Sequence, residues 1–150
     1  MKLAEALQER ADLNRRIQQL QQRLSNNAVV QEGESPAEDP QELLSELDGC
    51  VQNLESLITR INLTNCRTLV DGESLTALLA RRDALKLKLS AYRDLSYNAS
   101  QLARRATHTE IKVLSAVSVP QVQKEADALA RELRLLDNSI QAANWTTELI

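Results

Sequence analysis

The stretch VQKEADALARELRLLDNSIQAA, residues 122–143, decides the fold class, because its apolar residues recur with the period of a packed helix. Heptad spacing of this kind is typical of helices that pack lengthwise against other helices. Ser118 is a suitable N-cap and Gln121 follows three residues later, as in a capping box. We therefore predict a helix over residues 119–143. Its two apolar rows are Val122, Leu129, Leu136 and Ala143, and Ala126, Leu133 and Ile140.

Three further segments have the same helical period. Asp39 is a good N-cap with Pro40 at the first helical position, and Glu42 completes a capping box. Ser74 is the predicted cap of the next helix, after an Asp-Gly turn. The predicted helices cover residues 3–25, 40–62 and 74–107. In the second of them, the predicted packing rows are Leu44, Val51 and Ile58, and Leu47, Leu54 and Ile61.

Residues 28–32 and 111–117 are rich in β-branched side chains, which favours extended structure. Because the predicted helices alternate in direction, both segments would lie at one end and could pair as a short ribbon. The expected fold class is mainly all-α, with four long antiparallel helices in a bundle or coiled-coil arrangement and a possible two-stranded ribbon at one end. We expect one domain over residues 1–150, with a C-terminal tail over residues 144–150.

Composition limits the core and the classes of function. Hydrophobic residues make up 43 % of the chain but aromatic residues only 2 %, with no Phe, so the core is aliphatic. The first residues lack a secretory signal, and no apolar run approaches the length of about 20 residues that a membrane helix needs. Two cysteines are too few for a disulfide scaffold. We therefore expect a cytoplasmic protein that does not bind membranes.

The sequence carries little recognisable chemistry, so we expect no cofactor, no metal ion and no catalytic residue. Nucleotide-binding glycine motifs and metal-ligand spacings are absent. The only histidine, His108, has no second histidine or suitably spaced acid pair beside it, so we interpret it as structural. Cys50 is predicted to pack beside an apolar row.

Two segments leave alternatives to a purely structural role open. A small-ligand or thiol-based site could lie in the polar loop predicted over residues 62–73, where Cys66 stands beside a base. Helix 74–107 could bind nucleic acid or another anion, although aromatic residues for base stacking are scarce and nucleic acid is not the expected partner. The loop residues are Asn62, Thr64, Asn65, Cys66, Arg67 and Thr68. The bases of the helix are Arg81, Arg82, Lys86, Lys88, Arg93, Arg104 and Arg105.

Several motifs together resemble a known family. VQEGESPAEDPQELLSELD, RINLTN, GESLTALLARRDAL and the terminal NWTTEL are similar to stretches of small bacterial proteins that are labelled septicolysin-like. The resemblance covers most of the chain. It implies a soluble, mostly uncharacterised bacterial helical protein, and it implies no catalytic residue.

Self-association is the preferred function: a non-enzymatic helical protein that forms a homo-oligomer, a dimer or larger. The third predicted helix is longer than the others by about 15 Å at 1.5 Å per residue. Its overhang would expose an apolar patch, which a second copy would cover. Trp145 is predicted to anchor the C-terminal tail. The predicted contact residues are Tyr92, Leu95, Tyr97 and Leu102.

Overall fold

The computed structural model describes residues 1–102 and 111–150, and these residues form four long helices and one two-stranded ribbon. The mainly helical class predicted from the heptads is confirmed. In chain order the elements are α1 (Leu3–Asn26), α2 (Pro40–Arg67), β1 (Leu69–Val70), β2 (Glu73–Ser74), α3 (Leu75–Ser100) and α4 (Val119–Thr146). Among the described residues, none of the helices combines the length and apolarity needed to cross a membrane.

The elements belong to two compact units. Unit 1 comprises residues 1–69 and 143–150, and unit 2 comprises residues 70–142. The expectation of a single domain over the whole chain stays a prediction.

Unit 1 is built on an antiparallel hairpin of α1 and α2. Arg16 pairs with Glu46 and Arg23 with Glu38, so residue numbers rise along one helix as they fall along the other. The Asp39 carboxylate caps α2 by accepting a hydrogen bond from the backbone N–H of Gln41 at 2.9 Å. The core of the hairpin consists of the buried Leu20, Leu43 and Cys50, with Leu13, Ile17, Leu24 and Leu47 packed against them.

The two ends of the chain meet in unit 1. Lys2 and Glu148 form an isolated antiparallel bridge, and their side chains also pair at 2.6 Å. The backbone N–H of Ile150 donates to the hydroxyl of Thr64 at 3.1 Å, which attaches the tail to α2. The N-terminus, the end of α2 and the tail therefore lie together in unit 1.

Unit 2 contains α3 and residues 119–142 of α4, which run antiparallel. The Arg82 guanidinium lies 3.9 Å from the Asp137 carboxylate across the two helices. The Ser74 hydroxyl caps α3 by accepting the N–H of Ala77 at 3.2 Å, as predicted. The ribbon that precedes α3 turns through Asp71 (φ 51°) and Gly72 (φ 87°). Two successive residues with positive φ are what a two-residue hairpin turn of type I′ requires, and Asp-Gly supplies them at low cost.

Several predicted boundaries were wrong. Residues 28–32 and 111–117 are not strands, because β propensity without a partner strand does not form a ladder. Instead, the first of these segments runs into a turn in which the N–H of Glu34 donates to the carbonyl of Gln31 at 3.0 Å. The ribbon forms at β1 and β2, where the turn chemistry brings the strands together.

The helix lengths also differ from the prediction. The second helix continues five residues beyond the predicted end at residue 62, and α3 ends at Ser100 rather than at residue 107. With 26 residues, α3 is shorter than α2 and α4, which have 28 each. The predicted overhang of the third helix was therefore wrong. The last predicted residues of that helix, 103–107, lie outside the described residues.

Candidate functional site: the open side of the first hairpin

The second helix carries more apolar surface than α1 covers. Its buried row consists of Leu43, Cys50, Leu57 and Thr64, which are spaced by seven. One residue further along lies a second row, which we call the open row: Leu44, Val51 and Ile58. These three side chains are exposed, by 41 %, 45 % and 36 % respectively. The prediction that this row packs in the seam was wrong for the isolated chain.

Helix geometry places the open row on a definite side of the hairpin. With 3.6 residues per turn, each residue advances by about 100°. The open row is therefore rotated by about 100° from the buried row in one sense. Glu46, three residues after Leu43, is rotated by about 60° in the other sense. The open row and the ion pair of Glu46 thus lie on opposite sides of the seam.

The side with the ion pairs is polar, and these pairs join α1 to Glu46 of α2 and to Glu38 just before α2. Arg16 donates to Glu46 at 2.6 Å, and Arg23 donates to both carboxylate oxygens of Glu38 at distances of 2.5–3.1 Å. The hydrogen bond from Arg23 lowers the pKa of Glu38 and raises that of Arg23. No comparable ion pair spans the open side within the part of the chain that the structure describes.

A groove of about 550 Å³ lies on the polar side, and three arginines line it. Each of them already has a carboxylate partner: Arg15 pairs with Asp12, Arg16 with Glu46 and Arg23 with Glu38. Because the positive charges are neutralised within the hairpin, the groove has little to offer an anion.

The predicted loop site is mostly helical. The residues Asn62, Thr64, Asn65, Cys66 and Arg67 belong to the last turns of α2, and Thr68 is its C-cap. The prediction of a loop was wrong because the local Asn and Thr residues do not break the helix. Thr64 is 1 % exposed. Its hydroxyl accepts the N–H of the tail residue Ile150 and donates to the carbonyl of Arg60 at 2.8 Å. Cys66 is exposed and Cys50 is buried.

The predicted oligomer contact lies near the end of α3. Leu95, Tyr97 and Leu102 are exposed, and Tyr92 is half-buried. A groove of about 220 Å³ separates Leu95 and Leu102 from residues 113–117, so the returning chain lines part of this surface. The length argument for this contact was wrong, and the contact itself stays a prediction.

The basic helix is partly neutralised by its own unit. Arg81 donates to Glu73 at 2.5 Å, and Arg82 lies 3.3 Å from Asp83 as well as near Asp137. The Lys88 ammonium lies 5.8 Å from the centre of the Tyr92 ring. The ion pairs of Arg81 and Arg82 reduce the charge that a nucleic acid would meet, whereas Lys88 keeps its charge. Three residues that entered the sequence argument lie outside the described residues: Arg104, Arg105 and His108.

Trp145 does not anchor the tail in this chain. Its side chain is 55 % exposed, and it lies on the last turn of α4 rather than in a returning segment. The buried tail residue is Leu149, which is 9 % exposed. The prediction was wrong because the helix continues to Thr146 and turns the indole outward.

The sequence did not identify the open row as exposed, because pairs of adjacent apolar residues allow either row to be the buried one. Leu43 precedes Leu44 and Leu57 precedes Ile58, so both rows are apolar. Because Cys50 and Thr64 interrupt the aliphatic residues of the buried row, the pattern favoured the open row as the packed one. The available signal was Glu46, whose opposite charge to Arg16 marks the side that faces α1.

Comparisons with known proteins place the whole chain beside proteins without an assigned function. The model of a family of unknown function, DUF6847, matches residues 10–149. The crystal structure of a functionally unknown conserved protein from Corynebacterium diphtheriae is similar, with a TM-score of 0.94 and 41 % sequence identity. The match covers 100 % of this chain and 99 % of that one. A search of curated proteins gave no match. Neither similarity carries the septicolysin-like label.

Proposed function

This chain belongs to the DUF6847 family of unknown function, and we propose that it is a self-associating helical protein whose contact surface is the open row. The observation that carries the proposal is the exposure of three large aliphatic side chains at seven-residue spacing on one helix. Heptad rows are the pattern by which a helix packs lengthwise against another helix. The expected partner is a second copy of the chain.

Part of the apolar surface of α2 is left without a neighbouring helix. A helix that packs against one neighbour needs one apolar stripe, but α2 has the buried row and the open row side by side. From Leu44 to Ile58 the open row extends over about 21 Å. Covering apolar surface contributes about 25 cal/mol for each Å² removed from water. A second helix packed along this row would therefore bury apolar surface at each of its three residues, and that burial would stabilise the complex.

The test compares two double variants by sedimentation equilibrium. Val51→Glu with Ile58→Glu places two charges on the open row. Gln52→Glu with Thr59→Glu places the same charges one residue further along the same helix, on its solvent side. We expect the wild-type chain to form a species with at least twice its mass of 16.8 kDa. The first variant should be monomeric and the second should behave as the wild type.

Circular dichroism of each variant shows whether the helices are retained, so that loss of association can be separated from loss of fold. A wild-type chain that stays monomeric over a wide range of concentration would contradict the proposal. So would a Val51→Glu, Ile58→Glu variant that keeps both its helical signal and the wild-type mass.

The finer expectations from the sequence stay predictions. They are the cytoplasmic location, the septicolysin-like relationship and the contact at the end of α3. The proposed association has its own support in the open row and does not depend on them.

A further inference from the structure

We propose that the open row of one copy binds the outward face of α3 of a second copy. This inference rests on the proposed function and specifies which surface the second copy contributes. The outward face consists of Leu87 with Ala80, Ala84 and Ala91, all of which are exposed. Leu87 is 76 % exposed, which is more than any residue of the open row.

The third helix is apolar on two sides. Its buried residues Leu75, Leu78, Leu85 and Leu89 lie on one face. At 100° per residue, the outward face lies about 165° away from them. A helix with apolar residues on both sides needs a neighbour on both sides. Alanines on the outward face allow another helix to approach closely, and Leu87 would then project into the surface of that helix.

Charge selects this partner. Asp48 and Glu55, seven residues apart, stand next to the open row on its solvent side and form no ion pair with any described residue. Arg81 and Lys88, also seven apart, stand next to the outward face of α3. Arg81 pairs with Glu73 of its own unit, whereas Lys88 forms no ion pair with any described residue. Charged residues that flank an apolar seam and repeat every seven residues determine which helices pair. The acidic pair and the basic pair are complementary in sign and in spacing.

The alternative of two copies joined through their α2 helices is disfavoured by the same charges. That contact would bring Asp48 and Glu55 of one copy against the same two carboxylates of the other. Like charges at an interface are repulsive. No Lys or Arg occurs between residues 24 and 59 that could compensate on that helix. The proposed contact removes this repulsion, and the outward face, residues 80–91, extends over about 16 Å against an open row of about 21 Å.

The experiment exchanges the charges in two separate variants and then mixes them. One variant carries Asp48→Lys and Glu55→Lys, and the other carries Arg81→Glu and Lys88→Glu. Each should have an association constant lower than that of the wild type by about tenfold or more, since about 1.4 kcal/mol of lost attraction has that effect. An equimolar mixture should recover the wild-type mass, because each variant then meets opposite charges on the other.

The matched control is Lys86→Glu with Arg93→Glu. It reverses a lysine and an arginine that are seven apart on the same helix but away from the outward face, and it should keep the wild-type mass. Arg81 also pairs with Glu73, so Lys88→Glu alone serves as a second variant that leaves that ion pair intact. It should weaken association in the same direction. Circular dichroism confirms that each variant retains its helices.

The outcomes separate this inference from the proposed function. If the wild type associates and Val51→Glu with Ile58→Glu abolishes it, the open row is the contact surface. Should the folded Arg81→Glu, Lys88→Glu variant then keep the wild-type mass, the second copy does not use α3 and this inference alone is overturned. A mixture that stays monomeric would overturn it as well. A monomeric wild type would overturn both.

Discussion

At the scale of single residues, the ion pair of Arg23 and Glu38 makes stability depend on pH. The hydrogen bond from Arg23 holds the pKa of Glu38 below its ordinary value. A depressed pKa means that the contribution is complete above the unfolded-state pKa of about 4.3. It is lost as the pH falls through the lower pKa of the folded state. Glu38→Gln should therefore be less stable than the wild type at neutral pH, and the difference should disappear in acid.

Urea unfolding at neutral pH and at several acidic values measures this difference. Glu34→Gln is the control, because it removes a carboxyl group of the same connecting segment that forms no ion pair with the described residues. A difference between Glu38→Gln and the wild type that stays constant down to the lowest pH would contradict the role of the ion pair.

At the scale of the helix, α2 presents two apolar rows that differ only in what covers them. Leu57 is 5 % exposed, whereas Ile58, the next residue, belongs to the open row. Leu57→Ala should lower the free energy of unfolding by about 2–5 kcal/mol, because it leaves a cavity in the seam. Ile58→Ala should cost less than about 1 kcal/mol in the monomer. Urea unfolding of both variants, at a concentration low enough to keep the chain monomeric, checks the register of the helix.

If both variants lost the same free energy of unfolding, the seam with α1 would run between the buried row and the open row. A larger cost at Ile58 would reverse the assignment of the open row. The comparison also tests the premise of the self-association proposal without any measurement of mass.

At the scale of the whole molecule, the tail packs within unit 1 through Leu149 and through its backbone. Leu149→Ala should destabilise the chain by about 2–5 kcal/mol, whereas Trp145→Ala should cost less than about 1 kcal/mol because the indole is largely exposed. Thermal and urea unfolding measure both. Fluorescence of Trp145 in the folded monomer should lie close to that of an indole in water. A strongly blue-shifted emission, or a larger cost for Trp145→Ala, would contradict this account of the tail.

Local sequence patterns correctly predicted those structural features that depend only on residues close together in the chain. The heptads of α4 predicted its apolar face, and Asp39 and Ser74 predicted the starts of two helices. The Asp-Gly pair at residue 71 predicted a turn, although not that β1 and β2 would flank it. Helix ends were less predictable, because α2 continues through Asn62 and Thr64 where tertiary contacts stabilise polar residues in helical conformation.

The sequence by itself determined a mainly helical protein, because period, capping and turn chemistry are properties of short stretches of chain. Only the tertiary structure decided which of two adjacent apolar rows of α2 is buried. The two rows are similar in apolarity, and which of them faces α1 depends on contacts between residues far apart in the sequence, such as Arg16 and Glu46, which are thirty positions apart. The same holds for the pairing of Lys2 with Glu148, since contacts between distant residues leave no periodic signal in the sequence. The candidate contact surface follows from that choice, because the row left uncovered is the one that a partner can reach.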